Sequence, residues 1–269
     1  MATESLDRLS INRITVKSWS MEQVISGCAR AGINHVGLWL EDLAEHGTEK
    51  TARLLAAHDM SVSSVCRGGF FTGDDPAAAL ADNKKSVDQT AEIGCDVLYL
   101  LAGGVPADRD LPRARRMVAD GLAELVPYAR DRGVRLAVEP LHPLLLDRSV
   151  VVTVGQAVEL VQPHDPAVVG LAIDTFNVWW DPHVLRDIAR AGERVISYQV
   201  CDWLVPLPHP VWGRGIPGDG VIDFPPLTAA VAAAGYAGPI EVEIFNEKVW
   251  ATEPSEVIEV VRSRFARVF

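Results

Sequence analysis

Four oxygen-bearing side chains occupy comparable places in four apolar runs of the chain. Glu139 closes Leu136-Ala137-Val138 and Asp174 closes Leu171-Ala172-Ile173. Gln199 lies in Ile196-Ser197-Tyr198-Gln199-Val200, and Glu243 lies in Ile240-Glu241-Val242-Glu243-Ile244. If each run is a strand of one sheet, all four side chains arrive at one rim. Three carboxylates aimed at one cavity repel unless protons or a cation neutralise them. With the neutral carbonyl of Gln199 the donor set is all oxygen, which suits Mg2+ or Mn2+ better than Zn2+. Taken singly, each acid has a plainer use as a cap or a loop ion pair, and Asp174 in particular could cap a following turn.

Further candidates flank these runs. His142 lies three residues beyond Glu139, between prolines at 140 and 143. An imidazole titrates near neutrality, so it can shuttle a proton or donate to a substrate hydroxyl; it is also an ordinary loop residue. Arg214, between Gly213 and Gly215, reads as part of a mobile loop. It would bind substrate hydroxyls, a carboxylate or a phosphate, or else pair with Asp219 or Asp223 at the surface. Trp39 and Trp203 stand at strand ends as candidate walls of a sugar site. Cys66 has no histidine beside it in sequence and is a poor nucleophile candidate; Cys66 to Phe71 reads as part of a site floor.

The elements that must position these residues follow a repeated pattern. A helical segment ends at a glycine, and a short apolar run follows: Gly32 before 33–38, Gly94 before 97–100, Gly133 before 134–138, Gly192 before 195–198 and Gly235 before 240–243. Glycine closes a helix in the left-handed conformation without a Cβ clash. Ser20-Met21-Glu22-Gln23 reads as a capping box. Asp75-Pro76 and Asp181-Pro182 each read as a capping Asp before a first-turn Pro. Counting apolar runs predicts eight strands, near 10–16, 34–39, 61–66, 96–102, 134–140, 168–175, 195–202 and 239–245. Strands alternating with helices imply a parallel α/β sheet, and eight units in 269 residues fit a single (β/α)8 TIM barrel. A doubly wound open sheet is the alternative, weakened because no GxGxxG follows the first strand. No linker-like stretch divides the chain, so 1–269 reads as one domain.

Composition narrows the function classes. Lys plus Arg is 25 and Asp plus Glu is 36, a net charge of −11, which disfavours nucleic acid and anionic membranes as partners. Four cysteines without a CxxC pair read as reduced thiols of a cytoplasmic protein. The first seven residues lack a basic and an apolar region and do not read as a secretory leader. No apolar stretch approaches the ~20 residues of a membrane span. A phosphate cradle is also missing, which favours an unphosphorylated substrate.

Val138–Pro143 (VEPLHP), Asp174–Pro182 (DTFNVWWDP), Gln199–Trp203 (QVCDW), Gly213–Asp223 (GRGIPGDGVID) and Glu241–Phe245 (EVEIF) occur in this order. Together they resemble the xylose-isomerase-like barrels, the sugar-phosphate isomerases and epimerases that include ketose 3-epimerases and inosose dehydratases. The resemblance runs over most of the chain and is specific for the superfamily, not for a substrate. It implies one divalent ion, Mn2+ first with Mg2+ or Co2+ as alternatives, held by Glu139, Asp174 and Glu243. The family histidine on strand 7 is Gln199 here, which would serve as the fourth ligand through its oxygen. A second family histidine, a substrate contact, is Asn177. Both departures count against a standard ketose epimerase.

What the resemblance implies is proton transfer on the carbon beside a carbonyl that the ion polarises, with Glu139 and Glu243 as the proton-carrying pair and His142 as the only imidazole among the matched motifs. The substrate would be a small carbohydrate, keto-sugar or polyol. Three readings stay open: an isomerase or epimerase; a lyase on the same platform, dehydrating a keto-inositol or cleaving a 3-keto-glycoside or C-glycoside; and a non-catalytic barrel subunit. A homo-oligomer or a small partner subunit is compatible with each. The endonuclease-IV branch would need more rim histidines and a basic face.

Overall fold

A computed structural model describes residues 6–269; residues 1–5, part of the segment read above as lacking a leader, lie outside it. Eight strands close a barrel: β1 (Leu9–Asn12), β2 (His35–Trp39), β3 (Ser61–Gly69), β4 (Val97–Leu101), β5 (Arg135–Glu139), β6 (Val169–Asp174), β7 (Val195–Val200) and β8 (Ile240–Val242). Every adjacent pair is parallel, including β8 against β1. Each strand is followed by at least one helix, so the chain is a (β/α)8 TIM barrel, as the alternation predicted. No described helix is long and apolar enough to cross a membrane.

Local chemistry explains the boundaries. All five glycines that end predicted helices have positive φ, from 53° at Gly192 to 101° at Gly235. Ser20 and Gln23 form the reciprocal capping box on the helix Met21–Arg30. Asp75 caps the helix Pro76–Glu92 through Ala78 N at 2.9 Å. Two expectations need correction. The first strand stops at Asn12, not 16, because the Asn12 side chain accepts from Ile14 N and turns the chain into a 3-10 segment. The helix expected at Asp181-Pro182 starts at Val184, and Asp181 accepts instead from His183 N, one turn earlier.

Register delivers the candidate residues. Asp174 lies opposite Gln199, and Gln199 opposite Glu241. Leu101 lies opposite Glu139. Beyond β7 a two-residue antiparallel ribbon pairs Asp202–Trp203 with Arg214–Gly215. The Asp202 carboxylate binds it together, accepting from the backbone N–H groups of Trp203, Gly218, Gly220 and Ile222 at 2.8–3.0 Å.

Candidate active site

The carboxyl ends of β5 and β6, and the residues just past β8, bring Glu139, Asp174 and Glu243 into one buried cluster. Arg214 Nη1 donates to Asp174 Oδ2 at 3.0 Å and to Glu243 Oε2 at 2.8 Å. Asn177 Nδ2 donates to Glu139 Oε1 and to Asp174 Oδ2, both at 2.9 Å. Asp174 Oδ1 also caps Phe176 N at 2.9 Å. Three carboxylates facing one guanidinium leave an excess of negative charge where water is scarce. Burial, then the charges of Asp174 and Glu243, push the Glu139 carboxyl well above the carboxylate range. Burial likewise raises Asp174 and lifts Glu243 to about 8. For Arg214 burial opposes the charge, but Asp174 and Glu243 outweigh it and hold the guanidinium as a cation.

A further buried carboxylate, Glu241, sits one layer deeper. It points inward because residues two apart on a strand share a face. Its Oε1 accepts from Asn12 Nδ2 at 2.6 Å and Gln199 Nε2 at 2.8 Å. Its Oε2 accepts from Ser63 and Ser64 hydroxyls at 2.6 and 2.7 Å. The chain makes room with Gly37, where a Cβ would fall 2.2 Å from Glu241 Oε1. This anion fixes the amide of Gln199. A carboxylate only accepts, so the Gln199 nitrogen must face it. The carbonyl oxygen then points away from Glu241, and no described donor satisfies it.

The donor chemistry therefore fits a hard divalent cation. Three carboxyl groups, two of them driven toward the protonated form by burial and mutual repulsion, and one free carbonyl oxygen are hard oxygen donors of the kind such an ion needs. Glu139, Asp174, Glu243 and Gln199 are the residues that would hold it. In the present arrangement Arg214 Nη1 lies between Asp174 and Glu243, and no three His, Cys, Asp or Glu side chains among the described residues converge at ligand spacing.

A cavity over the cluster is lined by Trp39, Glu139, Arg214 and Glu243, by Leu101, Leu141, Leu145, Val211 and Phe245, and by Cys66, Arg67 and Arg148. Trp39 is thus a wall, donating from Nε1 to Asn12 Oδ1 at 2.8 Å. Cys66 lines the cavity as a buried thiol whose pKa burial drives up. Arg214 is not the loop residue expected: it is buried in the ribbon, and Asp219 pairs with Arg264 at 2.9 Å instead.

His142, Trp203 and Asn177 lie to the side of the cavity lining. The His142 ring stacks on Trp203 at 4.8 Å and meets Trp180 edge-on at 5.4 Å. Its Nδ1 accepts from Leu144 N at 3.2 Å, so Nε2 carries the proton of the neutral ring, and burial lowers its pKa. Asn177 Oδ1 accepts from His142 N at 3.2 Å. Both ends of that amide are therefore engaged with protein.

Sequence reasoning reached Arg67 as part of the floor segment Cys66 to Phe71, which lines the cavity through Cys66 and Arg67; it did not single out Glu241 or Arg148. The period-two spacing of Glu241 and Glu243 was the available signal for the first, and Arg148 had none.

Residues 25–264 match the model of the xylose isomerase-like TIM barrel family, and the chain belongs to it. A 3-dehydroshikimate dehydratase of Pseudomonas aeruginosa is 30% identical over 243 residues, 86% of this chain and 37% of that protein. The chain thus spans little more than a third of that relative. An L-ribulose 3-epimerase of Methylomonas sp. is 23% identical over 252 residues, 90% of this chain and 84% of its own. Among solved structures, protein SMc04130 from Sinorhizobium meliloti 1021 superimposes with a TM-score of 0.95 at 38% identity over 98% of both chains. The IOLI protein, solved with a zinc atom, superimposes with a TM-score of 0.84 at 20% identity over 97% of this chain and 99% of its own. Relatives within the family are thus epimerases and dehydratases.

Proposed function

We propose that the chain is a divalent-metal-dependent isomerase or epimerase that moves a proton on the carbon beside the carbonyl of a small polyhydroxylated ketone. The observation that carries this reading is that Glu139, at the end of β5, and Glu243, just past β8, line one cavity as members of an acidic cluster whose cation is Arg214. The ion, Mn2+ in this proposal, supplies Lewis-acid polarisation of the carbonyl and stabilises the negative charge that develops on it. The chain supplies the rest. One of the two glutamates takes the proton from carbon and the other returns one at a neighbouring position. Arg214, already in the cavity wall, donates toward developing negative charge. Asn177 bridges Glu139 and Asp174, and Glu241 holds the Gln199 nitrogen, which would leave the Gln199 oxygen free as a ligand. His142 acts through Asn177 and the Trp203 stack rather than on substrate.

A dehydratase on the same platform is the second reading. It is favoured by the 30% identity to a 3-dehydroshikimate dehydratase, against 23% to an epimerase. Both begin with loss of the same kind of proton and part only in whether the intermediate is reprotonated or expels a hydroxyl. Incubation with Mn2+ in D2O, with L-ribulose, myo-inosose or 3-dehydroshikimate, separates them. Deuterium entering carbon without loss of water supports the isomerase. A conjugated, ultraviolet-absorbing product supports the dehydratase. Neither outcome on any of these ketones sinks both and leaves a binding subunit.

A further inference from the structure

We propose that Asp202 and Asn246 are positioning residues for Arg214, so that the rate of proton transfer depends on them although neither lines the cavity. This rests on the reading above, in which the Arg214 guanidinium donates toward developing negative charge. The side chain's own hydrogen bonds do not fix that group. Both of its carboxylate contacts run through Nη1, to Asp174 and to Glu243. Its Nε is buried and has no partner among the described residues. Phe176 and Phe245 lie against the guanidinium with ring centroids at 4.8 and 4.7 Å. They restrain the plane of the group but not its position within that plane. The two acids at Nη1 are also among those that would hold the ion. The backbone of Arg214 must therefore supply the remaining constraint.

Two clamps supply it, one on each side of that backbone. On one side the ribbon pairs Arg214 with Trp203 and Gly215 with Asp202. The Asp202 carboxylate is 1% exposed and has no ion-pair partner among the described residues. Backbone N–H groups satisfy it instead. Oδ1 accepts from Trp203 and Ile222, and Oδ2 from Gly218 and Gly220. The outgoing arm of the hairpin and the chain beyond its return arm thus close on one anion. Gly220 permits this, since a Cβ there would fall 2.5 Å from Asp202 Oδ1 and 2.2 Å from Trp203 O. On the other side, Asn246 Nδ2 donates to Arg214 O at 2.8 Å, and Arg214 N donates to Phe245 O at 3.2 Å. Asn246 Oδ1 accepts from Lys248 N at 2.9 Å, so the short helix Glu247–Trp250 holds its amide in turn.

The two clamps tie Arg214 to the elements that carry its partners. Asp202 follows β7 directly, and Asn246 lies three residues beyond Glu243. Hydrogen bonds to an ionised acceptor are about twice as strong as neutral ones, so the Asp202 knot is a stiff root for the hairpin. Asp202→Asn keeps its shape and reverses its chemistry. Either orientation of the amide turns an NH2 group toward two backbone N–H groups, donor against donor. The root must then open, and Arg214 moves with it. A misplacement of about 1 Å in a group that meets developing charge costs on the order of 100-fold in rate.

Two readouts on the Mn2+-supplemented full chain test this: deuterium exchange, with whichever of the three ketones above exchanges fastest, and the arginine side-chain proton–nitrogen NMR spectrum. The Arg214 Nε–H signal, assigned by its absence in Arg214→Lys, should be displaced by the ring currents of Phe176 and Phe245. Asp202→Asn and Asn246→Ala should each move it toward the exposed arginines. Each should lower kcat ~10- to 100-fold and change KM less than about threefold, as for an interaction made in the transition state. Added to Arg214→Lys, each should cost less than about a further twofold, because effects that act through one residue do not multiply. A merely structural role would lower the melting temperature and leave the Arg214 signal and kcat in place. That result, or losses that multiply with Arg214→Lys, would overturn the proposal. If Asp202→Asn does not fold, Asn246→Ala carries the same test through the second clamp. Absence of exchange in the wild type would sink the proton-transfer reading, and the Arg214 signal would still decide whether the clamps hold the guanidinium.

Discussion

Two buried acidic centres share the interior of this barrel, one above the other, and they are built on opposite principles. Glu241 in the lower layer accepts from Asn12, Gln199, Ser63 and Ser64. These four donors take up all four lone-pair positions of its carboxylate. In the upper layer Glu139, Asp174 and Glu243 share chiefly Arg214 and Asn177. The lower centre is complete and can only hold things in place. The upper is short of donors and of positive charge, so it has capacity left for a cation, a proton or a substrate. Burial alone does not make a carboxylate reactive; the shortage of partners does.

Substitutions break this contrast in order of size. Glu139→Gln and Glu243→Gln should each lower the rate of deuterium exchange ~100- to 10,000-fold, the usual worth of a general acid or base, while thermal unfolding stays near wild type. An unchanged rate in both would remove them from the chemistry. Glu241→Leu should do the reverse at first. Stranding the amides of Asn12 and Gln199 and two hydroxyls costs about 3 kcal/mol of stability, visible in urea unfolding, and Mn2+ affinity falls with it because Gln199 loses its orientation. A smaller probe of the same layer is Gly37→Ala. Its methyl group would push Glu241 aside, for about 1–3 kcal/mol and a modest loss of ion affinity.

The smallest effect concerns His142. Burial lowers its pKa in the folded chain, so the native state favours the neutral ring. The stability this gives is present above the ordinary histidine range near pH 6.5 and is lost as pH falls through the folded pKa. His142→Asn should therefore flatten the decline of the melting temperature on acidification below about pH 6. An inflection in the pH–rate profile that vanishes with the same substitution would instead make His142 a participant in the chemistry.

Much of the barrel was legible because its signals are local. An apolar run after a helix-ending glycine needs no knowledge of distant partners, and all five such glycines take the positive φ that the reading required. The rim acids were legible for a related reason: a polar residue ending an apolar run in a barrel has only the mouth to face. What escaped was relational. Arg214 looks like a loop residue until the ribbon with Trp203 sets it between Asp174 and Glu243. Glu241 reads as one more strand residue until Asn12, Ser63 and Ser64 arrive from β1 and β3. Where β1 ends was hidden in one side-chain hydrogen bond, from Ile14 N to Asn12.

The most direct test of the contrast between the two layers is metal content. The chain, purified without a histidine tag, would be analysed for bound elements before and after incubation with Mn2+, beside Glu139→Gln. About one divalent ion per chain, retained by the wild type and lost in the variant, is the predicted result. No bound ion at excess Mn2+, or an ion held equally well without Glu139, would contradict the claim that the upper cluster is an unfinished site completed by a cation.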